Sequence, residues 1–178
     1  VPLAIDHFGH VCVEDCIRFA RRMEPYNLAW IEDMVPWMYT DQYVRLKNST
    51  TIPVCTGEDI YLKEGFETLI KAGGVSVIHP DILTCGGALE LKKIADIADE
   101  NGVAVAVHMA ESPVACLAAV HTAAAMHNCL ALEFHSVDVP WWADIVKGIP
   151  NPLFQNGFIK VPEKPGLGFD DINEEVIK

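Results

Sequence analysis

Val103-Ala-Val-Ala-Val-His108 is a run of small and β-branched apolar residues closed by one titratable side chain. Five more runs share this design: Val1-Pro-Leu-Ala-Ile-Asp6, Leu28-Ala-Trp-Ile-Glu32, Ile52-Pro-Val-Cys-Thr-Gly-Glu58, Val75-Ser-Val-Ile-His-Pro-Asp81 and Cys129-Leu-Ala-Leu-Glu133. Their polar ends stand at 6, 32, 58, 81, 108 and 133, in steps of 26, 26, 23, 27 and 25 residues. A short apolar strand recurring about every 25 residues, with a charge at its C-terminal end, is the pattern of a β/α repeat whose strands contribute to one shared site.

The intervals carry helical spacing. Cys12, Cys16, Phe19, Ala20 and Met23 share one face of a helix expected between Cys12 and Tyr26. Further helices are expected over residues 39–48, 63–72, 88–100 and 113–127, with Gly73-Gly74 and Asn101-Gly102 as stops. In 88–100, Leu91, Ile94, Ala95 and Ala98 form the inward stripe, whereas 113–127 is mostly small residues suited to close packing on a sheet. Residues 134–152 are loop-rich and aromatic, and 157–168 are dense in proline and glycine. Alternating strands and helices imply a parallel sheet with helices outside, closed either as an open doubly wound sheet or as a (β/α)8 barrel. An open sheet gathers function at a switch point beside a glycine-rich phosphate turn. This sequence has no G-x-G-x-x-G, and every strand delivers a polar end. The expected fold is therefore α/β: a partial (β/α)8 TIM-type barrel over residues 1–150, with six of the eight units present, followed by a C-terminal segment over 151–178.

With 51% apolar residues in 178, the chain can bury a sizeable core without a structural metal or disulfide. Its 25 acidic against 13 basic side chains argue against nucleic acid or an anionic membrane as partner. No apolar run approaches the roughly 20 residues of a membrane span, and no signal peptide opens the chain, so a cytoplasmic protein is expected. The six cysteines, at 12, 16, 55, 85, 116 and 129, form no C-x-x-C pair and read as reduced, mostly buried thiols. The chain starts without methionine inside an apolar strand, which reads as a portion of a longer protein.

The strand ends carry the chemistry. Asp6, Glu32 and Glu58, expected at one height on neighbouring strands, would repel one another unless a cation lies between them. An all-oxygen donor set points to a hard ion, Mg2+; the alternative is three loop acids paired with lysines. Asp81 and His108 fall one repeat apart, so the carboxylate can fix the imidazole tautomer and raise its basicity, making His108 a general acid or base. His108 could equally be a satisfied core histidine. Glu133 either hydrogen-bonds a substrate oxygen when protonated or caps the barrel.

The ordered set Asp6, Trp30-Ile-Glu32-Asp33, Thr56-Gly-Glu58, His79-Pro-Asp81, His108 and Leu132-Glu133 resembles the mandelate racemase branch of the enolase superfamily. The likeness spans essentially the whole chain, including Gly157-Phe-Ile-Lys-Val-Pro-Glu-Lys-Pro-Gly-Leu-Gly168. It implies that Asp6, Glu32 and Glu58 bind Mg2+, that Asp81 and His108 are the acid/base dyad, and that Glu133 contacts a substrate carboxylate. The implied chemistry is removal of a proton α to that carboxylate, with the second negative charge met by the cation and hydrogen-bond donors. It also implies that the six strands are about strands 3 to 8 of the barrel, with a capping domain and a lysine motif before Val1, that 151–178 is a C-terminal closing segment that packs back on that domain, and that this chain alone has no activity. Sugar-acid dehydratases of the branch often carry a histidine two residues after the first metal ligand. Here that position is Phe8, with His7 and His10 on either side.

His7, His10, Asp59 and Asp138 fit a polyhydroxylated substrate, although either histidine could be a solvated loop residue. Trp37, Trp141 and Trp142 could wall a pocket or belong to the core or a subunit contact. The expected function is Mg2+-dependent dehydration of a sugar acid, with the small carboxylate as partner and a homo-oligomer as the assembly. A racemase, epimerase or cycloisomerase, a silent carboxylate-binding member and an inert truncation are the alternatives.

Overall fold

Successive side chains on a strand face opposite ways, and this alternation builds both cores of the molecule. The structure is a computed structural model that describes residues 2–9 and 11–178. Six strands, β1 (Ile5–Asp6), β2 (Ile31–Glu32), β3 (Val54–Thr56), β4 (Val77–Ile78), β5 (Ala104–Val107) and β6 (Cys129–Leu132), form one parallel sheet in sequence order. The sheet is curled as a partial (β/α)8 barrel, with the helices outside. Ile31, Val54, Ile78, Val105 and Val107 face the helices in the main core. Cys55, Val77 and Ala106, with Trp30 and Ala104, pack together as the barrel interior.

Five helices cover the outer face: α1 (Val13–Met23), α2 (Thr40–Lys47), α3 (Leu62–Lys71), α4 (Ala88–Glu100) and α5 (Pro113–Ala123). In α1, Val13, Cys16, Ile17 and Ala20 are buried, while Glu14 and Asp15 in the first turn and Arg21 and Arg22 in the last complement the helix dipole. In α4 the buried stripe is Leu91, Ile94, Ala95 and Ala98. Helix α5 starts with Ser112 as N-cap and Pro113 in its first turn, and ends at Ala123, short of the expected 127. Residues beyond it turn toward β6, where Asn128 Nδ2 donates to the Ala95 and Val103 carbonyls at 3.2 and 2.8 Å.

Helix α5 is apolar on two sides because two layers cover it. Ala115 and Ala119 face the main core. Cys116, Leu117 and Val120 pack with Met109, Trp142 and Leu153 in a second cluster. That second layer comes mostly from the tail after β6, residues 134–169, which is more regular than its sequence suggests. Strand β7 (Val146–Lys147) pairs antiparallel with β10 (Asp171–Ile172), and β8 (Phe154–Gln155) pairs with β9 (Phe158–Ile159). The β7–β10 pairing joins residues on either side of position 150. Among the described residues, no helix is long and apolar enough to cross a membrane.

Gly57 sets the course of the chain after β3. Its φ of +151° is one that side-chain-bearing residues rarely adopt, and a Cβ there would lie 2.9 Å from both the His79 nitrogen and Phe66 Cε1. Gly73 also has a positive φ, +73°, but a Cβ would meet nothing within 4 Å. Gly57→Ala should therefore destabilise the fold by about 2–3 kcal/mol through overpacking and strain. Gly73→Ala should cost about 1 kcal/mol. The difference in urea midpoint between the two variants checks the prediction.

Candidate active site

The inward rows of β2, β4 and β5 lead through Trp30, Val77 and Ala106 to polar residues at the C-terminal ends. Asp6 and Glu32 are register partners on β1 and β2. The next partner of Glu32 is Cys55, not Glu58. The expectation that three carboxylates share one height is thus corrected: the turn at Gly57 takes Glu58 off the strand, and it reaches the site from a loop. The three carboxylates are not among the groups whose ligand atoms all lie within 4.8 Å of one another, but Asp6 and Glu32 are near enough for their charges to act on Glu58. Burial, and then the charges of Asp6 and Glu32, push the Glu58 carboxyl up, with His108 opposing them. Asp33 is raised to about 7, by burial above all and then by Glu32, Glu58 and Asp6, although Thr56 Oγ1 donates to it.

Glu32 is buried, with one partner on each carboxyl oxygen. Trp30 Nε1 donates to Oε2 at 2.7 Å, and His79 Nδ1 contacts Oε1. His79 is 3% exposed and reaches Glu133 Oε2 from its other nitrogen at 3.4 Å. Burial lowers the affinity of this imidazole for a proton, but hydrogen bonds to Glu133 and Glu32 outweigh it and carry the ring to about 10. His79 is therefore wedged between two carboxyl groups that favour its protonated form.

Asp81 and His108 form an isolated parallel bridge at the ends of β4 and β5. Asp81 Oδ2 lies 2.8 Å from His108 Nδ1, and its Oδ1 accepts the Leu83 and Thr84 amides at 2.7 and 3.0 Å. Asp81 is 1% exposed, yet these donors hold its carboxyl well below the usual range. The other ring nitrogen of His108, Nε2, faces Glu58 at 3.3 Å and Glu133 at 3.7 Å. His108 is raised above an ordinary histidine because Asp81, Glu133 and Glu58 outweigh its burial and the charge of His79.

Glu133 reaches the inward row through an irregularity. Val105 pairs with Cys129 but Ala106 pairs with Ala131, so one extra residue in β6 shifts the alternation. Leu132 consequently packs against the cores and Glu133 stands at the site. His135 Nε2 contacts Glu133 Oε1 at 2.6 Å. Against the cost of burial, His79 and His135 together lower Glu133 to about 2.

The remaining expected site residues are less integrated. His7 is half-buried, with Nδ1 unpartnered among the described residues. His10 lies outside the described residues. Asp138 is exposed in a short 3-10 turn, Ser136–Asp138. Asp59 and Trp37 line a cavity of about 200 Å³ with Phe8, Gly9 and Asp33. Trp141 is exposed, whereas Trp142 is core: it stacks edge-on against Phe134 and donates Nε1 to the Glu111 carbonyl at 2.7 Å.

The sequence pattern of the family described as enolase C-terminal domain-like matches residues 1–176. The chain belongs to that family. It is 43% identical over 151 residues to a D-xylonate dehydratase of Haloferax volcanii, covering 85% of this chain and 36% of that protein. A D-galactonate dehydratase of Ralstonia pickettii is 30% identical over 182 residues, covering 99% and 47%. The crystal structure of a mandelate racemase/muconate lactonizing enzyme-like protein from Rubrobacter xylanophilus superposes with a TM-score of 0.94 at 38% identity, over 99% of this chain and 44% of that one. The chain thus spans less than half the length of these relatives.

Within this enolase-type barrel, three residues join the site without having been singled out by their spacing: His79, Glu111 and His135. His79 lies two residues beyond inward-facing Val77, so strand alternation was a usable signal for it. Glu111 and His135 sit on loops, where no periodicity applies. Among the described residues, two groups bring three potential metal-ligating atoms within 4.8 Å of one another: Glu32, Cys55 and His79, and Asp81, His108 and Glu111.

The depressed Glu133 carboxyl has a consequence for stability. Its contribution is complete above the unfolded value near 4.5 and is lost as pH falls through that value toward about 2. Glu133→Gln should remove up to about 3 kcal/mol of the acid sensitivity between those limits. Urea titrations at pH 5 and pH 3 test this: equal losses in the two proteins would contradict it.

Proposed function

We propose that this chain carries the proton-transfer and metal-binding face of a sugar-acid dehydratase. The observation that carries the reading is the two-sided setting of His108. Asp81 anchors Nδ1 at 2.8 Å, which leaves Nε2 directed at the space between Glu58 and Glu133. The similarity to proteins named D-xylonate and D-galactonate dehydratase supports the substrate class.

Asp6, Glu32 and Glu58 suit Mg2+ as a cofactor, since they offer only carboxylate oxygens and the repulsion that adds to burial in raising Glu58 is of the kind a cation relieves. When bound, the cation would supply Lewis-acid stabilisation of the charge that develops on the substrate carboxylate. His108 Nε2 takes the α-proton, while Asp81 keeps the imidazole in the tautomer that can accept it and steadies the imidazolium formed. The C–H electron pair moves onto the substrate carboxylate as an enediolate and then returns to form the Cα–Cβ double bond as the β C–O bond breaks. His108 then returns its proton to the departing hydroxyl, releasing water and an enol that tautomerises to the 2-keto-3-deoxy acid. Glu133, ionised between His79 and His135, accepts from a substrate hydroxyl, while the buried His79 ring holds Glu133 in place against Glu32. His7, His10 and Asp138 contribute to recognition of the polyol chain. We further propose that turnover needs the complete protein, a cytoplasmic homo-oligomer in which residues 151–178 also pack against a capping domain.

The test is conversion of a panel of aldonic and aldaric acids by the full-length protein with Mg2+, read as keto product. His108→Asn should lower kcat by about a thousandfold. Glu58→Gln should weaken Mg2+ binding at least about tenfold, read as the concentration dependence of the thermal shift. Exchange of the α-proton with D2O without keto product would instead point to racemisation. No turnover, no exchange and no Mg2+-dependent shift would sink the reading.

A further inference from the structure

We propose that Glu111 is a positioning residue of the acid/base pair: it donates a hydrogen bond to Asp81 and thereby fixes the carboxylate that orients the His108 ring. The inference rests on the reading of His108 as the proton-transfer group. Glu111 lies on the turn between β5 and α5, three residues beyond His108. Carboxyl oxygens of Asp81 and Glu111 and a ring nitrogen of His108 lie within 4.8 Å of one another. Glu111 Oε1 is 3.9 Å from His108 Nδ1, the nitrogen that Asp81 already holds at 2.8 Å.

Two carboxyl groups this close do not both ionise without cost, so the pair retains one proton. The donors around each decide which carboxyl keeps it. Asp81 receives three, from Leu83 N, Thr84 N and His108 Nδ1, whereas Glu111 receives one, from Ala110 N at 3.2 Å. Asp81 is the stabilised anion and Glu111 the acid that donates to it. The directions of the two shifts agree: Glu111 is raised to about 7 by burial and then by Asp81, while Asp81 is lowered.

The backbone around Glu111 is fastened for this task. Its carbonyl accepts Trp142 Nε1 at 2.7 Å, and the next residue, Ser112, caps α5. From the opposite side, only Glu58 and Glu133 among the described carboxylates approach the His108 ring, and they face Nε2. Glu111 therefore acts on the anchored edge of the imidazole and not on its reactive edge.

The experiment compares Glu111→Gln and Glu111→Ala in the full-length protein. Glutamine keeps a donor to Asp81 and should leave kcat within about threefold of the parent. Alanine removes it and should lower kcat about 10–100-fold, the usual effect of losing an outer hydrogen bond to a working imidazole, with KM nearly unchanged. A glutamine variant as impaired as alanine would show that Glu111 acts as a charge, and an unimpaired alanine variant would show that it does nothing; either overturns the proposal. An activity-independent readout is infrared spectroscopy at pH 6 with 13C-labelled glutamate. The carbonyl stretch of a protonated carboxylic acid should be present in the parent and lose the Glu111 contribution in Glu111→Gln. If the parent shows no turnover or exchange, the functional reading fails while this band still decides the hydrogen bond: its persistence unchanged in the variant refutes the inference.

Discussion

Everything at the rim depends on the two-residue alternation of parallel strands that are covered on both faces. One row, Ile31, Val54, Ile78, Val105 and Val107, seals the sheet against the helices. The opposite row runs through Trp30, Cys55, Val77 and Ala106 along the barrel interior. Extending that second row at the C-terminal ends gives Glu32, His79 and His108. A polar side chain becomes a site residue here because its parity matches a buried apolar neighbour two positions earlier. Where a strand would break the rule, the backbone adjusts. Gly57 releases Glu58 from β3, and the extra residue in β6 returns Glu133 to the interior row.

Charge then divides the rim into two unlike halves. Asp6, Glu32, Asp33 and Glu58 crowd the ends of β1 to β3, and their mutual repulsion adds to burial in raising Asp33 and Glu58. The ends of β4 to β6 carry His79, His108 and His135, all gathered around Glu133. Acid-rich and imidazole-rich halves suit the two tasks proposed for them, holding a cation and moving protons. His79 spans the boundary by touching both Glu32 and Glu133, so the halves are mechanically linked as well as adjacent.

The β/α order and the partial barrel were legible because a 25-residue recurrence survives local irregularity: each apolar run must reach the sheet and return through a helix. The proximity of Asp81 and His108 was legible for the same reason, as one repeat separates positions that end up side by side. Spacing failed where the backbone departs from the repeat. Glu58 follows a glycine turn, so equal intervals did not mean equal height. His79 was overshadowed by Asp81 in the same His-Pro-Asp segment, although alternation from Val77 points to it. Glu111 and His135 lie on loops, where the sequence offers composition but no period. The tail hid its two strand pairs because each strand is only two residues long, too short for any pattern.

The tail also shows why the site cannot be understood from the strands alone. Trp142 is buried between Phe134 and the α5 cluster, and its indole N–H is spent on the Glu111 carbonyl. That hydrogen bond ties the β5–α5 turn, three residues past His108, to a segment more than 30 positions further along the chain. Leu153 and the partly buried Ile159 and Leu167 pack on the same cluster, so the tail supports Trp142, and Trp142 supports the turn. A side chain that orients a catalytic group must itself be locked by packing. In this barrel the strands place His108, and the layer outside α5 holds the turn beside it.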